Sequence, residues 1–268
     1  MAEISKIEWT DATFNGWIGC TKISPGCDNC YAEALSQRYG WAKWGDHARK
    51  RTSTTNWQSP VKWNAEAKAF EEKHGRRRRV FSASLSDWLD NQVPKEWRAD
   101  LFRMIRATPN LDWQLLTKRP QNIAKMLPAD WGGGYPNVWL GTTTEDEKHF
   151  RMRWPILSRI PAAVRFISYE PAVGPLGTIT GPTPDWIIAG GESGPGARTL
   201  DPRWARDVRD QSVALGIAFF FKQWGTYRSN PVSQAKDPPS NGKGGALLDS
   251  QLWRQFPVDQ RVQRRAIA

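Results

Sequence analysis

Short apolar runs separated by helix-like stretches make up most of the chain. Runs rich in β-branched and aromatic residues predict strands, and apolar residues that recur every three or four positions predict helices. The predicted strands are Arg79–Ser84, Trp113–Thr117, Asn137–Gly141, Val164–Ser168, Trp186–Ala189 and Ile217–Phe221, preceded by a first strand at about 14–19. The predicted helices cover about Asn29–Gly40, Lys62–His74, Lys95–Ala107, Asp146–Ser158 and Pro202–Leu215.

This alternation of strands and helices predicts an α/β fold with a parallel sheet. Polar residues follow nearly every predicted strand, and in a (β/α) barrel those carboxyl ends meet on the face that carries the active site. We therefore predict a TIM-like (β/α) barrel over residues 1–228, either complete or partial with about six or seven strands. An open doubly wound sheet, which also binds ligands at its carboxyl strand ends, is the alternative.

Two segments interrupt or follow the predicted barrel. Residues at about 41–75 form a largely polar insertion with Trp41, Trp44 and Trp57, and long insertions of this kind are usually functional or mobile. Residues 229–268 are rich in Pro, Gly, Ser and Asn, and we predict a tail that wraps the surface.

All three cysteines, Cys20, Cys27 and Cys30, lie within eleven residues after the first predicted strand. The Cys-x-x-Cys pair places two sulfurs on one side of a tight turn, and the turn at Ser24-Pro25-Gly26 can bring Cys20 back towards them. The pattern predicts a metal site with three protein ligands and one open position. An iron–sulfur cluster suits it best, while zinc and unmetallated thiols are the alternatives.

Charge and aromatic content point to an anionic partner. The chain has 38 Lys and Arg against 27 Asp and Glu, a net charge of +11, and 16 Trp. Basic groups beside aromatic faces suit nucleic acid. The odd number of cysteines argues against a secreted disulfide framework, and no signal peptide or membrane-length apolar run is seen. We expect a cytoplasmic protein.

Several residues at predicted strand ends have functional side chains. Lys118 and Arg119 suit a phosphate or carboxylate, and Glu170 beside Tyr169 is a candidate acid or base. The remaining candidates for nucleic-acid binding are Arg198, Lys222, Gln223 and Trp224. No phosphate-binding P-loop, His-Glu-x-x-His motif or nucleophile elbow occurs, so ordinary ATPase and hydrolase functions have little support.

A glycine pair follows the strand at 186–189. Gly190 and Gly191 let backbone amides approach a ligand closely, and Glu192 can hold an ammonium or hydroxyl group, with Ser193 beside it. A tight turn is the alternative interpretation. After the strand at 79–84, Ser84 is a candidate for the same task.

The segment Cys27-Asp28-Asn29-Cys30-Tyr31 resembles the end of the cluster loop of radical S-adenosylmethionine enzymes. From residue 4 to about 225, the chain resembles the phage-associated three-Cys-motif family of uncharacterised proteins. That resemblance rests on Ile7–Thr13, Gly19–Ala32, Leu116–Pro120, Ser168–Pro171 and Gly190–Gly194.

The resemblance to the radical enzymes implies a complete or partial barrel with a 4Fe–4S cluster on Cys20, Cys27 and Cys30. S-adenosylmethionine would complete the open iron, close to Tyr31, and an electron donor would drive its cleavage to a 5′-deoxyadenosyl radical. Two features depart from the radical-enzyme pattern. The first cysteine spacing is six residues, where three is usual, and Gly190-Gly191-Glu192 follows about the sixth strand, where the similar motif follows the second.

These expectations lead to a lyase or modifying enzyme acting on nucleic acid, with DNA favoured. Cleavage of a pyrimidine photoproduct during DNA repair, or base modification, would fit, with Tyr31 or Tyr169 as a hydrogen relay. A nucleic-acid-binding protein with a structural cluster or zinc is the second hypothesis. An iron–sulfur barrel enzyme that uses light or another cofactor is the third.

Overall fold

The computed structural model describes residues 4–232 and 243–257. Seven strands form the main sheet: β1 (Ala12–Phe14), β2 (Arg78–Ser82), β3 (Leu111–Thr117), β4 (Val138–Thr143), β5 (Val164–Tyr169), β6 (Trp186–Gly190) and β7 (Ala218–Gln223). The α-helices are α1 (Tyr31–Tyr39), α2 (Thr54–Ala65), α3 (Ala67–His74), α4 (Lys95–Ala107), α5 (Ile123–Met126), α6 (Glu147–Leu157) and α7 (Pro202–Ala214).

The seven strands are all parallel and lie in the sheet in the same order as in the chain. This confirms the α/β class and the parallel sheet. A doubly wound sheet reverses its strand order at a switch point, and no such reversal occurs here, so that alternative was wrong. The sheet curls as a half-barrel, and β1 and β7 do not pair with each other in the part of the chain that is described.

Alternating strand residues supply two apolar layers, one on each face of the sheet. One face, the helix face, packs residues such as Leu140 and Phe219 against the buried sides of α4, α6 and α7. The opposite face, the inner face, carries a mainly aromatic cluster made of Trp9, Phe81, Trp139, Val164, Phe166, Trp186, Ile188 and Phe220. On this face Gly141 has no room for a side chain, because a Cβ there would lie 2.3 Å from the Phe166 ring.

The insertion at 41–75 contains more regular structure than its polar composition indicates. Helix α2 begins at Thr54, where the Ser53 hydroxyl accepts a hydrogen bond from the Asn56 amide, eight residues before the predicted start at Lys62. Its buried Trp63 joins the main core. The insertion also supplies Lys50–Arg51, which pairs with Trp17–Ile18 directly before the cysteines.

Residues 243–257, the longer of the two described parts of the 229–268 segment, lie against β7. Leu247–Leu248 and Gln251–Leu252 form a short antiparallel pair, and Arg254 bridges to Phe220 in antiparallel orientation. Phe256 packs into the inner-face cluster. Residues 243–257 thus add to the edge of the sheet at β7, while residues 233–242 and 258–268 of the predicted tail lie outside the described residues.

The basic run at 76–79 is neutralised within the fold. Arg76 pairs with Asp11, Arg77 with Asp112 and Arg78 with Glu66, and the Arg79 guanidinium lies 3.6 Å from the Phe256 ring centroid. These arginines therefore contact residues of the fold at the amino end of the sheet. None of the described helices has the length and apolar character needed to cross a membrane.

Candidate functional site

The segment Gly19–Ala32, here called the cysteine loop, lies beside the carboxyl end of β2. It begins where the Gly19 amide donates to the Leu85 carbonyl at 3.1 Å, turns through the 3-10 helix Pro25–Cys27 and enters α1 with Cys30 as the N-cap. All three cysteines are free thiols of intermediate exposure. The loop thus lies on the edge where the predicted site residues were expected.

Asp87 and Arg119, here called the Arg119 clamp, hold the Cys20 end of the loop. Arg119 pairs with Asp87 at 2.9 Å, and the two side chains are only 5% and 7% exposed. The same guanidinium donates to the Thr21 carbonyl at 2.7 Å and lies 3.5 Å from the Cys20 sulfur. Burial, together with the Asp87 carboxylate, raises the pKa of Cys20 to about 12.

Glu192 and Arg198, here called the Arg198 clamp, hold the other end of the loop. The Glu192 carboxylate accepts from the Asn29 amide at 2.8 Å and pairs with Arg198 at 2.6 Å. Arg198 also donates to the Pro25 carbonyl at 2.7 Å. Burial alone would raise the pKa of Glu192, but hydrogen bonds from Arg198 and Asn29 outweigh it and lower the pKa.

A third buried pair contacts the middle of the loop. Glu145, directly after β4, is fully buried and pairs with Arg153 at 2.6 Å. Its other oxygen accepts from the Gly26 amide at 3.4 Å, and a Cβ at Gly26 would lie only 3.0 Å from that oxygen. The close approach requires glycine at this position, so Glu145 fixes where the turn sits.

Tyr31 connects the loop to the second strand. Its hydroxyl donates to the Ser84 carbonyl at 2.7 Å, while the Ser84 hydroxyl accepts from the Asn15 side chain at 2.9 Å. The Tyr31 side chain is nevertheless 50% exposed. The structure thus brings Tyr31, Ser84 and the exits of β1 and β2 together.

Glu170 belongs to a charged cluster on the inner face. It pairs with Lys222 at 2.8 Å, and Arg254 donates to the Lys222 carbonyl at 3.4 Å. Burial lowers the pKa of both Lys243 and Arg254, while the carboxylates of Glu8 and Glu170 act in the opposite direction. Both Glu8 carboxylate oxygens are buried and have no hydrogen-bond partner among the described residues.

Other predicted residues serve packing. The Tyr169 ring lies in the helix-face core and its hydroxyl donates to the Gly174 carbonyl, so it is directed away from Glu170. Trp224 is 1% exposed and its indole donates to the Leu247 carbonyl at 2.9 Å; Gln223 is 3% exposed. Neither side chain is free for base stacking.

The glycine pair allows β6 and β7 to end close together. A Cβ on Gly191 would lie 2.0 Å from the Trp224 carbonyl oxygen, and one on Gly190 would lie 3.1 Å from a Glu170 oxygen. The Gly191 amide donates to the Gln223 carbonyl at 3.0 Å. Of the remaining predicted residues, Lys118 and Ser193 are both of intermediate exposure at this edge.

The donor set of the cysteine loop fits an iron–sulfur cluster in kind and in position. Thiolates are the usual ligands of such clusters, and three thiols lie on one loop at the expected edge. Within residues 4–232 and 243–257, however, no group of three or more His, Cys, Asp or Glu side chains is arranged to hold a metal ion.

A family model described as a protein of unknown function (DUF5131) matches residues 4–257. The chain belongs to the DUF5131 family. No curated protein and no solved structure matches the chain. The DUF5131 match includes all seven strands of the main sheet, the cysteine loop and both clamps, so the family extends over the whole candidate site.

Sequence reasoning missed several residues of this DUF5131 site. It gave no role to Asn29, Glu145 or Arg153, and it did not predict that Asp87 pairs with Arg119. The available signal was position, because Asp87 and Glu145 both follow a strand on the edge where the site was expected. Their partners could not be identified, because Asn29 and Glu192 are separated by 163 residues.

Proposed function

We propose that the chain is an iron–sulfur enzyme of the radical S-adenosylmethionine type that acts on nucleic acid, with DNA favoured. The main support for this proposal is that all three thiols lie on one loop. Residues that follow β2, β3, β4 and β6 hold this loop at the carboxyl edge of the sheet. The sequential parallel sheet is compatible with the partial (β/α) barrel of this proposal.

In this proposal Cys20, Cys27 and Cys30 hold a 4Fe–4S cluster and leave one iron open. Reduced by an electron donor, the cluster would supply the electron that cleaves S-adenosylmethionine. The two clamps position the loop from both ends. Tyr31 follows Cys30 directly and its hydroxyl donates to the Ser84 carbonyl; in this proposal its ring lies on the side of the cluster where S-adenosylmethionine binds.

Glu170 and Lys222 are the residues we assign to proton handling. Their ion pair is largely shielded, with side chains 14% and 17% exposed, on the inner face of the sheet. A carboxylate in such a place can accept a proton once substrate displaces the lysine. Lys222 would then be free to meet an anionic group of that substrate.

Nucleic acid is favoured as the substrate because of the net charge of +11. The two arginines predicted to touch it, Arg119 and Arg198, are engaged in the clamps. Their contribution in this proposal is to shape the loop. Direct contacts with the nucleic acid would be made by Lys118, Lys222 and exposed residues of the insertion.

The first test is the iron content of protein purified without oxygen. We expect about four iron and four sulfide per chain and a brown colour, and loss of most of the iron in Cys20→Ser, Cys27→Ser and Cys30→Ser. Ile23→Ala, in the same loop and 43% exposed, is the matched control and should keep the iron. A colourless protein with stoichiometric zinc would contradict the proposal and favour a structural metal in a nucleic-acid-binding protein.

The second test separates radical chemistry from a structural cluster. Reduced protein is incubated with S-adenosylmethionine and damaged or undamaged DNA, and 5′-deoxyadenosine is measured. Its formation by wild type, and its loss in Cys30→Ser, is the expected result. An iron-loaded protein that binds DNA but forms none would instead favour a structural cluster or another cofactor.

A further inference from the structure

An exposed aromatic pair lies at the junction of α1 and the insertion. The rings of Tyr39 and Trp41 stack with centroids 5.0 Å apart and planes inclined by 20°. Tyr39 is 55% exposed. Among the described pairs of Phe, Tyr and Trp rings, this is the one that contains an exposed ring, since the others lie in or against the core.

The surroundings of the pair are basic. The Arg38 guanidinium lies 5.5 Å from the Tyr39 ring centroid, and Lys43 and Lys50 are exposed on the insertion that follows. Farther along the same insertion, an open cavity of about 450 Å³ is lined by Lys50, Arg51 and several hydroxyl side chains. Cations beside an exposed ring favour a partner with both negative charge and flat apolar surfaces.

The pair is held in place by the structure around it. The Ser36 hydroxyl donates to the Ala42 carbonyl at 2.7 Å and accepts from the Ala42 amide at 3.0 Å. Farther along, the Gly45 amide donates to the Cys20 carbonyl at 2.9 Å. Four residues after Trp41, the insertion is thus hydrogen-bonded directly to the cysteine loop.

We propose that Tyr39 and Trp41, with Arg38, form a stacking platform for an unpaired base of single-stranded nucleic acid. Exposed Lys43 and Lys50 contact the phosphates that flank this base. This inference rests on the proposed function and adds the form of the substrate, a strand with accessible bases. A stacked base needs an open ring face next to positive charge, and the platform supplies both.

The test measures binding of a fluorescent twelve-residue oligothymidine by anisotropy at low salt. We expect Tyr39→Ala and Trp41→Ala each to weaken binding roughly 5- to 100-fold, the range for loss of one stacked base. Tyr39→Phe should bind like wild type. Tyr227→Ala is the matched control, because Tyr227 is also 55% exposed but has no ring partner among the described residues, and it should bind like wild type.

An abasic strand of the same length isolates stacking from charge. With it, Tyr39→Ala should bind as wild type does, whereas the double variant Lys43→Ala, Lys50→Ala should still show a weaker salt dependence. Alanine variants that bind oligothymidine within about twofold of wild type, or that lose equal affinity for the abasic strand, would overturn the platform and leave the proposed function standing. A wild-type protein that binds neither strand would overturn both.

Discussion

The Arg119 clamp and the Arg198 clamp hold opposite ends of the cysteine loop, but they differ in burial. Both charged side chains of the Arg119 clamp are nearly inaccessible to solvent. In the Arg198 clamp the arginine side chain remains 33% exposed and also reaches Asp28, whose side chain is 60% exposed. The Cys20 end of the loop is therefore held by a buried ion pair, whereas the arginine that holds the Asn29 end is partly exposed.

This difference matters because the free energy of an ion pair depends on its access to water. A buried pair that loses one partner leaves an uncompensated charge, while an exposed pair is replaced by hydration. If the proposed cluster binds, we expect Cys20 to keep its position. Adjustment of the loop would then fall on the Cys30 end, where the charges of the Arg198 clamp are partly exposed.

The largest effect is expected at the Arg119 clamp. Arg119→Met should lower the free energy of unfolding by about 3–5 kcal/mol, because it leaves the Asp87 carboxylate buried without its cation. Urea denaturation of the protein without metal gives this value directly. Lys118→Met is the matched control and should change it by less than about 1 kcal/mol. Equal changes in the free energy of unfolding for the two substitutions would show that the Arg119 clamp does not stabilise the fold.

A smaller, pH-dependent effect is expected at the Arg198 clamp. The lowered pKa of Glu192 means that its charged form stabilises the folded state above the ordinary carboxyl value of 4.5, and that this contribution is lost as the pH falls through the folded-state pKa. Glu192→Gln should lower stability by about 1–2 kcal/mol at neutral pH.

Thermal unfolding at several pH values checks the sign of this effect. The difference between wild type and Glu192→Gln should be constant above about pH 5 and shrink at more acidic pH. A difference that grows on acidification would mean that the carboxylate is strained by burial and not stabilised by Arg198.

The smallest effect is expected at Asp28. Its contact with Arg198 at 3.2 Å is exposed, so Asp28→Asn should change stability by less than about 0.5 kcal/mol, and added salt should remove even that. Urea denaturation of wild type and Asp28→Asn at low and high ionic strength measures this difference in stability. A loss as large as that of Glu192→Gln would indicate that the outer part of the loop is as firmly held as the inner part.

The periodicity of the sequence was sufficient for most of the sheet and for the long helices. Helix α4 has the predicted bounds, and α1 ends at Gly40 in the left-handed conformation, as a terminal glycine indicates. The expectation that polar strand ends gather on one edge also placed Arg119, Glu170 and Glu192 in the same region.

The partners of these side chains could not be predicted. Arg119 and Glu192 look like free rim groups in sequence, yet they contact residues 98 and 163 positions away. The local pattern of apolar and polar residues gives no information about contacts between residues so far apart in the sequence. For the same reason Trp224, which looks suited to stacking, proved to be a core residue that holds the 247–252 hairpin.

The sequential order of the strands has a consequence for biosynthesis. The cysteines leave the ribosome early, whereas Arg198 follows Asp28 by 170 residues, which corresponds to roughly 10–30 s of translation. During that interval the nascent chain carries three thiols that its own later residues have not yet enclosed. A chaperone or metal carrier that acts on the nascent chain would bind an open loop. One that acts after release of the chain would bind a loop that both clamps already hold.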